Sequence, residues 1–366
     1  EYLYKFVSSG TFDAANPLSA ANRTLLNDGT LYVAIFAAGA TPGDNAGTGT
    51  WVPLIHGTSG LTVANGFADQ AEVLIKTRQA ADRVGATMMD RPEWVAANPK
   101  VRGEALIALT NNSLRGLGTP TSNNPDGSTV AGSARPPVDE ANPRAINTWG
   151  HIIKWNEAGG NASATTFTWD IFLIAGNPQA FPQPDARGGS SNITPANMFN
   201  SPDGLGFDSF GRLWIQSDGN FSNALPNFQG QGNNQMLAAN PLTKEVRRFL
   251  VGPSGCEITG LTFTPDRKTM FINVQHPGEV GNHPNRPAAY PTTPAPAPDN
   301  WLANNANAFS TWPGGAGSAR PRSATVVVRR TDGGVIGDGN APIATGPVPS
   351  ASTKFMSGNA APAGAG

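Results

Sequence analysis

Between Ser201 and Glu279 one pattern is written twice. SPDGLGFDSFGRLWIQSDG and CEITGLTFTPDRKTMFINVQHPGE each open on an acid, Asp203 or Glu257. Each then gives a short apolar strand, a polar turn, and a second apolar strand. Each closes on polar groups: Asp218 in the first, Gln275 and His276 in the second. A third copy lies upstream. Arg91-Pro92-Glu93-Trp94-Val95-Ala96 aligns with Ser201-Pro202-Asp203-Gly204-Leu205-Gly206, Glu104–Thr110 replaces RLWIQS, and Asn111-Asn112 takes the place of Asp218. Tandem hairpins constrain a chain more than any local propensity, because each repeat must bury its apolar face against the next.

Further strands extend the copies. His151–Trp155 and Thr166–Ile174 follow the first, and Gln235–Ala239 and Glu245–Val251 follow the second. Ala324–Arg329 follows the third. Four short antiparallel strands per repeat describe propeller blades. The fold class expected is therefore all-β, a β-propeller of four-stranded antiparallel blades with helical and loop insertions. It is incomplete in this chain, since a closed ring needs about four to eight blades.

Four regions are expected. Residues 1–60 hold strand candidates Tyr2–Val7, Leu31–Phe36 and Trp51–His56, read as closing strands of a blade begun upstream; Glu1 is no initiator Met. Residues 61–90 are a helical insertion: Ala71, Leu74, Ile75, Ala81 and Val84 approximate one helix, with Asp69 as N-cap and Gly85 at its end. Residues 91–337 carry three blades with long loops, and 338–366 form an Ala/Pro/Gly-rich tail.

Composition excludes several classes. A net charge of −1 and the lack of Lys/Arg runs interleaved with aromatics argue against nucleic acid as a partner. No apolar run approaches the ~18 residues of a membrane span. With one cysteine, Cys256, no internal disulfide can form; the residue reads as a small buried hydrophobe. His56 and His151 fall within strand patterns and read as core or surface.

The innermost strand of a blade lines the channel, so Glu93, Asp203 and Glu257 are expected at one mouth of it. Carboxylates brought together repel unless a cation intervenes, and oxygen ligands suit Ca²⁺, Mg²⁺ or Mn²⁺. Asn111, Asp218 and Gln275 could add oxygens. Arg91 offers a planar fork matched to phosphate oxygens. Cations with an arginine are the ingredients of phosphoryl transfer to water. Each piece has a plainer reading: an acid before a strand can bond turn amides, and Arg91 can pair with Glu93 or Asp90. His276-Pro-Gly-Glu279 with His283 resembles a ligand cluster only loosely, because prolines prevent a helical His–Glu pairing.

The sequence resembles the C-terminal half of PhoX-type bacterial alkaline phosphatases. The resembling blocks are NGFADQAEVLIKTRQAADRVGATMMDRPEW (65–94), LTNNS (109–113), HIIKWNEAGG (151–160), SPDGLGFDSFGRLWIQSDG (201–219), GNNQML (232–237), GCEITGLTFTPDRKTMFINVQHPGE (255–279) and RPRSATVVV (320–328). The resemblance implies hydrolysis of phosphate monoesters at a calcium and iron centre, and export to the periplasm or beyond. Arg91 and Glu93 match the family's Arg-Pro-Glu motif, implying phosphate binding by Arg91 and metal binding by Glu93. Asp203 and Glu257 match by motif position as metal ligands. The family's N-terminal half, with a metal-binding cysteine and further glutamates, has no counterpart here, and Cys256 is not that cysteine. A monomer is expected. Two other readings stay open: a calcium-dependent propeller lactonase, and a binding propeller in which calcium is structural.

Overall fold

The computed structural model describes residues 1–118, 130, 133–219, 226–279, 307–315 and 319–337. The 338–366 tail and His283 lie outside these residues.

The described residues form three antiparallel sheets. The first blade comprises β4 (Pro92–Ala97), β5 (Glu104–Leu109), β6 (His151–Glu157) and β7 (Thr166–Ile174), hydrogen-bonded in that order. The second comprises β8 (Pro202–Phe207), β9 (Leu213–Ser217), β10 (Gln235–Ala239) and β11 (Val246–Val251). The third shows β12 (Glu257–Phe263), β13 (Thr269–Gln275) and β14 (Ala324–Arg329). This is the all-β, incomplete blade arrangement expected from the repeats.

The N-terminal strands are β1 (Tyr4–Ser8), β2 (Gly29–Ala38) and β3 (Ala46–Pro53), with a short helix α1 (Ala20–Arg23) between the first two. Strand β3 begins upstream of the expected strand Trp51–His56, because its backbone pairs with β7 from Ala46↔Asp170 to Thr50↔Thr166. That pairing joins β1–β3 to the first blade in one seven-stranded sheet.

The expected single helix is two: α2 (Gln70–Ile75) and α3 (Thr77–Arg83). Asp69 caps α2 by accepting from Glu72 N. Lys76 breaks the run with φ −91° and ψ 35°, and its Nζ reaches Gly66 O at 2.8 Å. The Thr77 hydroxyl bonds back to Leu74 O, which competes with a continuous backbone ladder.

Alternation along the strands builds the cores. On β5, Leu106 and Ala108 face the second blade, while Ile107 and Leu109 face the N-terminal strands and Trp51, Trp155 and Trp169. On β9, Leu213 and Ile215 face the first blade, and Trp214 faces the third with Met270, Ile272 and Val274. Successive strand residues point to opposite faces, so a blade between two others must be apolar on both. All five residues of β9 and all five of β10 are accordingly buried.

Innermost strand β8 packs against both β4 and β12. The starts of these three strands, and hence the three repeated acids, are thereby brought to one place.

Candidate functional site

Each acid is presented by the same local device. Two residues before it the backbone turns left-handed: φ is 52° at Arg91, 52° at Ser201 and 68° at Gly255. Such angles are uncommon outside glycine and cluster at functional sites. The carbonyl of each turned residue is held by the chain leaving the second strand of its hairpin. Thr110 N donates to Arg91 O (3.1 Å), Asp218 N to Ser201 O (3.1 Å), and Glu279 N to Gly255 O (3.2 Å). The third copy needs glycine, because a Cβ at Gly255 would lie 2.7 Å from the Glu279 carbonyl oxygen.

Bulges then re-aim the side chains. Register slips between Pro92 and Val95 in β4 and between Pro202 and Leu205 in β8, so Glu93 and Asp203 lie within bulges. A bulge bends its strand and turns a side chain out of the regular alternation. In β12 the slip falls later, at Gly260, and Glu257 pairs regularly with Gln275. Gly204 leaves room for the Gln216 amide, which a Cβ would approach to 2.4 Å; that amide donates to Gly260 O at 2.9 Å and ties β9 to β12.

The acids are close enough to govern one another. Burial, and then the charges of Glu93, Glu257 and Asp218, push the Asp203 carboxyl up to about 7, against a smaller opposing pull from Arg91. Burial also raises Glu93, with Arg91 opposing and Glu1 and Asp218 adding to the rise. Glu257 is raised by burial and by Asp218, with His276 opposing. An uncompensated group of this kind disfavours ionisation, the condition a bound cation reverses.

Arg91 lies at the edge of this group. Its Nη1 donates to Asn111 Oδ1 (3.0 Å) and its Nη2 is 3.8 Å from Glu93 Oε1. Asn111 in turn donates to Ser201 Oγ at 3.2 Å, crossing from the first blade to the second. Asp90 does not pair with Arg91. It is fully buried and binds Arg115 Nε at 2.5 Å and Asn147 Nδ2 at 2.8 Å. That buried network includes His151, whose Nδ1 accepts from Asn147 (3.0 Å) and whose Nε2 faces Ala141 O (2.8 Å). Burial lowers His151 to about 4, so it is a neutral core residue, bonded to the same Asn147 amide that binds Asp90. A cavity of about 670 Å³ opens beside Arg91, Asn111 and Asn112.

The third hairpin adds a candidate ligand, His276. Asp218, Glu257 and His276 each offer an atom within 4.8 Å of the others. A positive φ of 38° at His276 turns its ring back, with Nε2 3.5 Å from Glu257 Oε2 and Nδ1 3.3 Å from Glu279 Oε2. The sequence points to a His near acids but not to this pairing, because the prolines obscure any regular spacing. Gln275 is oriented differently from the expected oxygen donor: its Nε2 donates to Glu257 Oε2 at 2.7 Å. The strand register places Thr110, rather than Asn111, at the level of Asp218. Cys256 is fully buried in the core of the third blade, where burial holds its thiol up at about 12.

Carboxylates from three blades, with one imidazole and one arginine beside them, form a donor set suited to cations and to an oxyanion. The class so defined is an all-β blade assembly with an acidic mouth. The alkaline phosphatase PhoX family matches residues 1–278, and the chain belongs to that family. A solved structure of Pseudomonas fluorescens PhoX in complex with vanadate, a transition state analogue, is similar at 45% identity and a TM-score of 0.76. The match covers 93% of this chain and 50% of that one, so the chain spans half the length of that relative. TolB from Acinetobacter baumannii aligns at only 15% identity over 57% of this chain and 42% of its own, with a TM-score of 0.22. No curated protein sequence matches the chain.

Proposed function

We propose that this chain supplies one side of a metal-dependent phosphatase centre that hydrolyses phosphate monoesters. The observation that carries the reading is the convergence of Glu93, Asp203, Asp218 and Glu257 with Arg91 beside them, where burial first and then the neighbouring acids push the Asp203 carboxyl up to about 7. The vanadate complex of a relative 45% identical supports it.

The donor set fits the metals that the family resemblance implies. Glu93 and Asp203 are oxygen donors suited to calcium; Asp218 and Glu257 with His276 add a nitrogen donor suited to iron. Bound there, such cations polarise the phosphoryl oxygens and lower the pKa of coordinated water. The chain's own residues do the rest. Asn111 holds one Nη of Arg91, leaving the remaining guanidinium hydrogens to grip ester oxygens and stabilise charge at the transferring group. The carboxylates keep Arg91 and the cations in one frame, and the cavity beside Arg91 takes the alcohol portion of the ester. No helix among the described residues is long and apolar enough to cross a membrane. A monomer acting in the periplasm or outside the cell completes the proposal.

The test is hydrolysis of p-nitrophenyl phosphate, with calcium and iron supplied, by the protein that carries this chain and by its Glu93→Gln variant. Loss of a ligand carboxylate should lower kcat/KM by at least ~10–100-fold, the scale of disturbing even the support around a metal ligand. Unchanged turnover removes Glu93 from the centre. Lactone hydrolysis with calcium alone overturns the phosphatase reading.

A further inference from the structure

We infer that Asn234 is a positioning residue that sets the spacing of Asp218 and Glu257, an inference that rests on the cation-site reading above. Its side chain is 4% exposed and lies outside the group of acids. Its Oδ1 accepts from Ser217 Oγ (3.0 Å) and Gly219 N (2.7 Å). Its Nδ2 donates to Gly219 O (3.1 Å) and to Cys256 O (2.8 Å). One buried amide therefore grips both neighbours of Asp218 and the residue immediately before Glu257.

The chemistry demands a carboxamide of this length. Two acceptor contacts and two donor contacts are made from one planar group. Aspartate keeps the acceptor side and loses both donors; alanine loses all four. The clamp is itself anchored, since Gly252 N donates to Asn234 O at 2.8 Å and Ser217 Oγ accepts from Gln235 N at 2.9 Å. Asp218 leaves the second blade and Glu257 opens the third, and the two hairpins are separate in sequence. A fixed distance between their carboxylates needs a direct tie across the blades, and Asn234 makes it within one residue of each ligand. The position falls in the GNNQML block, where nothing local marks it as part of a site.

The experiment compares wild type, Asn234→Ala and Glu257→Gln in the protein that carries this chain. Mn²⁺ binding is followed by loss of the free-ion electron paramagnetic resonance signal, and Tm is measured in EDTA and with Mn²⁺. Asn234→Ala should weaken Mn²⁺ by ~10–100-fold, as expected for a residue that orients metal ligands. The Tm increment on adding Mn²⁺ should shrink with it. Ser217→Ala, which removes one contact to the same amide, should weaken Mn²⁺ in the same direction by less, and it serves if Asn234→Ala does not fold. Wild-type Mn²⁺ affinity in Asn234→Ala, with a lowered Tm in EDTA and a weakened Glu257→Gln, makes Asn234 a stitch of the fold and overturns the inference alone. Wild-type affinity in Glu257→Gln overturns the cation reading, and this inference with it.

Discussion

Asp203 shows how a side chain proposed to bind a cation can burden the fold. Its carboxyl is pushed up from the ordinary 3.8 to about 7 by burial and by three neighbouring acids. Without metal the folded chain therefore keeps a proton that the unfolded chain releases. Between pH 4 and 7 the unfolded state binds fewer protons, so stability from this group is full below pH 4 and is lost as pH rises to 7. In EDTA, Asp203→Asn should flatten the fall in Tm between pH 5 and pH 8 and raise Tm at pH 8. With Ca²⁺ present the sign reverses, because the ionised carboxylate is then needed and the variant binds the ion more weakly. Melts at the two pH values with and without Ca²⁺ check this. An unchanged pH slope in EDTA would remove Asp203 from the mutually repelling group. Glu93, Asp203 and Glu257 are legible as site candidates because each repeats a motif position, and Arg91 because its guanidinium stands beside one of them. Asn234 and the approach of His276 are not, since an amide's partners and a turned ring depend on chain that is distant in sequence.

Among the elements, β5 and β9 carry the inter-blade cores. Leu106 is fully buried between the first two blades, and Leu242 in a turn is 64% exposed. Leu106→Ala should cost about 2–5 kcal/mol, the range for emptying a packed aliphatic site. Leu242→Ala should stay within about 0.5 kcal/mol. Urea denaturation measures both, and equal costs would contradict this account of the packing. The blade strands could be placed from alternation and turn residues, because the pattern is local. The part of β3 ahead of Trp51 and the break at Lys76 could not. The first needs β7 as its partner, and the second depends on a bond from Lys76 to Gly66.

At the scale of the whole molecule, β4, β8 and β12 come from three sheets and meet at their acidic starts. A cation bound there links blades that otherwise repel at that point. Chelation should lower Tm, by the linkage of binding to folding: an ion present at 100 times its Kd contributes about 2.7 kcal/mol. Melting in EDTA and after re-addition of Ca²⁺ checks this, and a Tm indifferent to both would place no cation between the blades.

The repeat alone determined that the chain is all-β, where most blade strands lie, and that three acids share one register. It could do so because side-chain alternation and turn chemistry are properties of neighbouring residues. The tertiary structure decided the rest. It set the left-handed turns before each acid, the bulges that re-aim Glu93 and Asp203, the amide clamp at Asn234, and the meeting of Asp218, Glu257 and His276. These depend on carbonyls and carboxylates supplied by other blades, and no local pattern specifies which distant partner a group will meet.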